Sequence, residues 1–269
     1  MLASKLISIQ SVPRSGSSWL GQIFKSSPQV AFRFQPLFSY AFKGRLTTRS
    51  DRNEIVRFFE EIRTTADDFI LQRDRKIHVD YPVIQERSDA SHVVMKEVRY
   101  NNIIHNMVEQ VPELKIIGLV RQPCAVLDSW INAPREFKPE WIVDEEWRSG
   151  AKKNQAQPEE AFGFHKWKEV AQLFVDLERS HPTQVAIVRY ADLNSDPIAA
   201  VKALFTFCEL DFNAETEAFI LQSRSKQGTD ANSIYRIARP DTAWQGRLPQ
   251  NIVDAITDEL EGSELARFL

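Results

Sequence analysis

Arg14-Ser15-Gly16-Ser17-Ser18 lies between two apolar stretches and is the segment best suited to chemistry. Leu6-Ile7-Ser8-Ile9-Gln10-Ser11-Val12 before it has the composition of a buried strand, and Trp19 to Lys25 after it reads as helix. A glycine among serines lets the backbone pass close to a ligand. The first-turn N–H groups of a helix have no partner within the helix and, with the helix dipole, favour an anion such as phosphate. Arg14 adds a full positive charge beside them. A Walker A loop would need Gly, four residues, then Gly-Lys-Ser/Thr. Here the cation precedes the glycine, and Lys25 lies too far along the helix.

A second constellation stands in mid-chain. Leu114-Lys115-Ile116-Ile117-Gly118-Leu119-Val120 becomes continuously apolar after its first residues, as a strand buried on both faces of a parallel sheet does. It runs into Arg121-Gln122-Pro123, and Pro123 suits the first turn of a helix continuing through Trp130. Arg121 therefore falls at the carboxyl end of a central strand, where open α/β sheets bind ligands. Its planar fork matches a phosphate, and Ser129, eight residues on, adds a hydroxyl.

Together the two segments resemble the PAPS-dependent sulfotransferases, whose donor is 3′-phosphoadenosine 5′-phosphosulfate. That family's first loop reads Pro-Lys/Arg-Ser-Gly-Thr/Ser-Thr/Ser-Trp/Phe-Leu, and Pro13 to Leu20 fits it at every position. Its second motif reads Arg-Asp/Asn-Pro with a serine eight residues after the arginine. Arg121, Pro123 and Ser129 fit, and Gln122 departs. Val188-Arg189-Tyr190-Ala191-Asp192-Leu193 resembles the family's Arg-Tyr-Glu-Asp-Leu segment with Ala191 in place of Glu, and Trp244 to Leu248 resembles its Trp-Arg/Lys…Leu segment. The Arg-Ser-Gly-Ser-Ser form is similar to the carbohydrate-sulfotransferase branch.

The resemblance implies an α/β, P-loop-like three-layer fold, with a mostly parallel central sheet flanked by helices and residues 1–269 in a single domain. It implies transfer of a sulfuryl group from PAPS to a hydroxyl, on a carbohydrate or glycoconjugate, leaving adenosine 3′,5′-bisphosphate (PAP), without a metal. Arg14, Ser15, Gly16, Ser17, Ser18 and Trp19 would form the 5′-phosphate cradle, with Arg14 also stabilising charge on the leaving oxygen. Arg121 and Ser129 would hold the 3′-phosphate. The late segment carrying Trp244 and Arg247, with Arg236 and Arg239 before it, would approach adenine and the 3′-phosphate as a lid. Arg189 and Tyr190, closing a strand, either border the donor site or brace the fold, with bracing the preferred assignment.

The proton acceptor is the departure. The family often places a glutamate after the second strand, in Glu-Pro, whereas this chain has Gln35-Pro36. An amide takes no proton at neutral pH, so Gln35 is assigned to orienting the acceptor. Glu97, in Met95-Lys96-Glu97-Val98-Arg99, becomes the candidate base, with pairing to Lys96 or Arg99 as its structural alternative. Lys96 could stabilise the transferring group, and His92 and His105 are weaker candidates. Two other readings stay open: a catalytically inactive PAPS- or PAP-binding protein of the same fold, and a P-loop kinase. Gln35 favours the first; the missing lysine and the missing acidic strand end disfavour the second.

Five strands are expected at Lys5–Ser11, Val30–Phe34, His92–Glu97, Lys115–Val120 and Gln184–Arg189. Helices are expected at Ser17–Lys25, Asn53–Thr64, Asn101–Gln110, Pro123–Asn132, Pro158–Arg179, Pro197–Cys208, Asn213–Ser223 and Gln250–Glu261, with Asp196 and Asn213 as caps. Alternation of this kind gives a parallel sheet. Arg73–Ser91 and Ala133–Gln157 read as irregular, and Trp130, Trp141 and Trp147 serve mainly to anchor the second stretch. With 34 basic and 37 acidic residues the net charge of −3 gives no case for nucleic acid or an anionic membrane as partner. No run reaches the ~18 apolar residues of a membrane span. The two cysteines, Cys124 and Cys208, form no framework or metal spacing and are expected buried and reduced, which together with the absence of a leader pattern reads as a cytoplasmic protein.

Overall fold

The computed structural model describes residues 4–73, 82, 84, 87–226, 228, 234–235, 237 and 240–269. Five strands, β1 (Lys5–Gln10), β2 (Val30–Phe34), β3 (His92–Glu97), β4 (Lys115–Val120) and β5 (Val185–Arg189), form one sheet in the order β2-β3-β1-β4-β5. Every pairing is parallel, with Gln10 beside Glu97 on one side and Gly118 on the other. All five strands fall where alternation of apolar runs placed them.

Helices cover both faces. The α-helices in chain order are α1 (Ser17–Lys25), α2 (Arg52–Arg63), α3 (Ile104–Gln110), α4 (Pro123–Ile131), α5 (Val143–Glu146), α6 (Ala151–Asn154), α7 (Phe164–Ser180), α8 (Tyr190–Ser195), α9 (Pro197–Phe207), α10 (Ala214–Ser225) and α11 (Gln250–Leu260). Ile7, Ile9, Val94, Ile117 and Leu119 face α1, α9 and α10, while Leu6, Val93, Met95, Ile116 and Val120 face α2, α3, α4, α7 and α11. The period-two alternation along each strand supplies both cores.

This arrangement fixes the position of the site. The loop after β1 leads into α1 on one face, and the loop after β4 leads into α4 on the other. Adjacent strands whose connections leave in opposite directions open a crevice at their carboxyl ends, where α/β sheets take ligands. Local chemistry sharpens the entries. Gln122, the departure from the family's Asp/Asn, accepts from Ala125 N at 2.7 Å and so caps α4 as the shorter side chain would. Asp196 and Asn213 cap α9 and α10, accepting at 3.0 and 2.9 Å from the backbone N–H of Ala199 and Thr216.

Three expectations need correction. The helix expected from Pro158 starts at Phe164, because Gly163 has φ 87° and a Cβ there would stand 2.8 Å from the Arg148 carbonyl oxygen. Asn154 holds residues 158–163 back by donating to and accepting from the Phe162 backbone. The 133–157 stretch carries the short helices α5 and α6; Trp130 and Trp147 are buried and Trp141 packs against the same core, in agreement with the anchoring role. Tyr190 opens α8 instead of closing a strand. Much of the 73–91 stretch falls outside the described residues.

Candidate active site

The two basic turns meet. Arg14 Nε donates to Ser129 Oγ at 3.1 Å, and Arg121 Nη1 donates to the Arg14 carbonyl at 2.8 Å. Arg14 itself has φ 72° and Gly16 φ 92°, so the loop turns twice through the left-handed region before α1 begins. α1 opens on Gly16 with no side-chain cap, which leaves its first-turn amides to an incoming anion. Glycine at 16 is also a matter of room, since a Cβ would lie 2.5 Å from the Tyr190 ring.

Tyr190 is a site residue that reading the sequence underrated. Its ring lies against Gly16 and under the Arg121 guanidinium, whose centre is 4.8 Å from the ring centroid. One aromatic plane therefore sets both the loop and the fork. The signal was its place at the carboxyl end of β5, next to β4 in the sheet. Trp167 Nε1 fixes the Arg121 backbone from the other side, donating to its carbonyl at 2.8 Å.

Arg121 is engaged by a carboxylate. Its Nε donates to Asp241 Oδ2 at 2.7 Å and its Nη2 to Asp241 Oδ1, a bidentate pair that is only 12% and 17% exposed. Trp244 Nε1 donates to the Asp241 carbonyl at 3.1 Å, and Arg247 pairs with Asp128, a buried carboxylate adjacent to Ser129. Burial pushes the Asp128 carboxyl up, and Arg247 opposes this. Trp244 and Arg247 thus adjoin the Arg121 and Ser129 turn through Asp241 and Asp128. Arg236 and Arg239 lie outside the described residues. The Trp19 side chain is committed to the core, its Nε1 donating to Ser223 Oγ at 2.9 Å, and its backbone N–H donates to the Gly16 carbonyl at 3.0 Å.

Next to this pocket, the ends of β2 and β3 bring Gln35 and Glu97 together. Gln35, with φ 41°, donates its N–H to the Lys96 carbonyl at 2.8 Å, and Glu97 Oε1 accepts from Leu37 N at 2.7 Å. Gln35 Oε1 and Glu97 Oε2 are buried oxygens without a hydrogen-bond partner among the described residues, as is Ser15 Oγ. Burial pushes the Glu97 carboxyl up to about 8, against the pull of the Leu37 amide, Lys96 and Arg99. Its structural alternative as half of an ion pair is not what forms: Arg99 pairs with Glu160 at 2.8 Å and stacks on Phe38. Lys96 leaves the strand on the opposite face, its Nζ 4.8 Å from the Phe34 ring centroid, and burial lowers it to about 7. His92 is at the far, amino end of β3, bonded to Ser91 and the Cys208 carbonyl, and His105 is an exposed residue of α3; neither is placed for proton transfer here.

Comparison with known proteins bears on this geometry. Residues 5–242 match the family described as the sulfotransferase domain. Among solved structures, the chain is similar to mouse sulfotransferase SULT7A1 complexed with PAP, at 14% identity and a TM-score of 0.57, covering 98% of this chain and 87% of that one. It is similar to a sulfotransferase from Alicyclobacillus acidocaldarius at 15% identity and a TM-score of 0.50, covering 99% of each chain. Retinol dehydratase in complex with retinol and PAP aligns at 11% identity and a TM-score of 0.56, over 98% of this chain and 84% of that one. At these identities the likeness concerns the fold. No curated protein matches the chain.

Proposed function

Since the chain belongs to the sulfotransferase domain family, we propose that it is a PAPS-dependent sulfotransferase acting, as one domain, on a hydroxyl of a carbohydrate or glycoconjugate. The observation that carries this is the direct bonding of Arg14 to Ser129 and of Arg121 to Arg14 across the β1/β4 crevice. The amides from Ser15 to Ser18, with the Arg14 cation, take the 5′-phosphate of the donor; Arg121 and Ser129 take its 3′-phosphate. Two structures of this fold hold PAP, which supports the same donor here.

The acceptor hydroxyl lies against Gln35 Oε1 and Glu97 Oε2. Its oxygen forms the new bond to sulfur, its proton passes to Glu97, and the sulfur–oxygen bond to the 5′-phosphate breaks, the electron pair leaving with PAP. Arg14 and Lys96 stabilise the negative charge that builds on the leaving and equatorial oxygens. The carbohydrate class rests on the Arg14-Ser15-Gly16-Ser17-Ser18 form of the first loop. A cytoplasmic setting belongs to the same reading, in which Cys124 and Cys208 are free, buried thiols.

Thermal melting tests the donor. PAP without metal should raise the melting point, by the equivalent of about 2.7 kcal/mol at a hundredfold excess over Kd. A shift with ADP plus magnesium and none with PAP would point to a kinase instead. Transfer of labelled sulfate from PAPS to a panel of hydroxylated acceptors then separates an enzyme from a binding protein that has lost catalysis.

A further inference from the structure

We propose that Asp241 is an internal competitor for the 3′-phosphate, holding the Arg121 fork closed until a nucleotide carrying that phosphate displaces it. The inference rests on the donor reading above and concerns the same pocket. A guanidinium fork accepts either a carboxylate or a phosphate through two parallel N–H···O bonds, and cannot satisfy both with the same edge. In this structure the Nε/Nη2 edge is filled by Asp241 and Nη1 by the Arg14 carbonyl. The other nearby carboxylate, Asp128, is neutralised by Arg247 and so leaves Asp241 as the anion set on the fork.

The contact spans 120 residues and is made by a segment without regular secondary structure. Asp241 lies in the link that precedes α11, and its carbonyl is tied to the Trp244 indole within its own turn. The pair is partly open to solvent, so exchange for an incoming anion needs no unfolding. A 3′-phosphate brings more charge and a third oxygen, which Ser129 is placed to meet from the next helix. A nucleotide without it gains nothing by opening the fork. Asp241 would thereby lower affinity for donor and product alike while leaving adenosine 5′-monophosphate unaffected, narrowing the gap between them and favouring product release.

An occupied fork lowers apparent affinity by the fraction of molecules in which it is open. Calorimetric titration of Asp241→Asn and Asp241→Ser with PAP should therefore show Kd falling about tenfold relative to wild type, a figure that corresponds to a fork closed about nine-tenths of the time. Affinity for adenosine 5′-monophosphate should not change. Weaker PAP binding in both variants, with melting points unchanged, would make Asp241 a brace for Arg121 and overturn the proposal. Failure of wild type and variants alike to bind PAP would instead remove the donor reading itself. Should both variants misfold, hydrogen exchange on the wild-type chain decides the matter. Protection across residues 241–248 should change with saturating PAP and remain at the ligand-free level with the 5′-monophosphate, and an identical response to both would refute displacement.

Discussion

Glu97 has been carried out of water with one carboxylate oxygen bonded to Leu37 N and the other without a partner among the described residues. Burying a carboxylate favours its protonated form, and the folded chain therefore holds this proton up to about 8. Two consequences of opposite sign follow. As base, Glu97 works ionised, so kcat/KM should climb with pH toward about 8; Lys96 loses its charge above about 7, so the rate should then fall. The profile should peak between those values, with Glu97→Gln removing the rising limb together with most turnover, and Lys96→Met removing the falling limb. A rate for Glu97→Gln equal to wild type would dismiss the base. For stability the folded state binds the extra proton, so stability declines as pH rises from the ordinary carboxylate range to about 8. Glu97→Gln keeps an acceptor for Leu37 N and avoids that penalty. Its melting point should exceed wild type at alkaline pH, above that value, by the equivalent of a few kcal/mol, since each tenfold change in proton affinity is worth roughly 1.4 kcal/mol. The two should converge in the ordinary carboxylate range.

Among the elements, strand positions were legible because each is a short apolar run buried on both faces, and α1, α4, α9 and α10 because their entries carry Gly, Pro, Asp or Asn in positions with a mechanical purpose. α7 was read six residues too early. Pro158 offered a helix start, but that stretch is retained by Asn154 and by the close approach of Gly163 to the Arg148 carbonyl. Local propensity contains neither contact. Gly163→Ala should accordingly cost about 2–4 kcal/mol, joining a left-handed backbone penalty to a steric overlap. Gly44→Ala, with φ 73° and nothing within 4 Å, should cost only the backbone part, about 1–2 kcal/mol. Denaturant midpoints compare the two, and equal losses would dismiss the overlap. Arg33 makes a related point: it is 1% exposed, and its guanidinium donates to the Ile62 and Arg63 carbonyls at the end of α2. A buried cation thus takes the place of a C-cap, with no sign in the sequence beyond a charge amid Phe32 and Phe34.

Across the molecule, the crevice opens between two helical layers that cover opposite faces of the sheet. The β1 loop leads into α1, which packs in one core, and the β4 loop into α4, which packs in the other, and a ligand held by both couples them. Arg121→Ala should for that reason abolish most of the thermal stabilisation by PAP while leaving the ligand-free melting point within a few degrees, since Asp241 loses its partner but remains near solvent. An undiminished PAP shift in this variant would remove Arg121 from the site. No helix among the described residues is long and apolar enough to cross a membrane.

Contiguous residues were enough to place the strands, the two cation-bearing turns and the family, because each rests on a period or spacing that carries its own physics. What faces those turns emerged with the assembled fold. Tyr190 under Arg121, Asp241 on its fork and Leu37 on Glu97 come from distant parts of the chain, and such pairings depend on strand order and on which face each crossover takes. Strand order is set by the burial of whole layers against one another, a property of the complete sheet that no local window of residues contains.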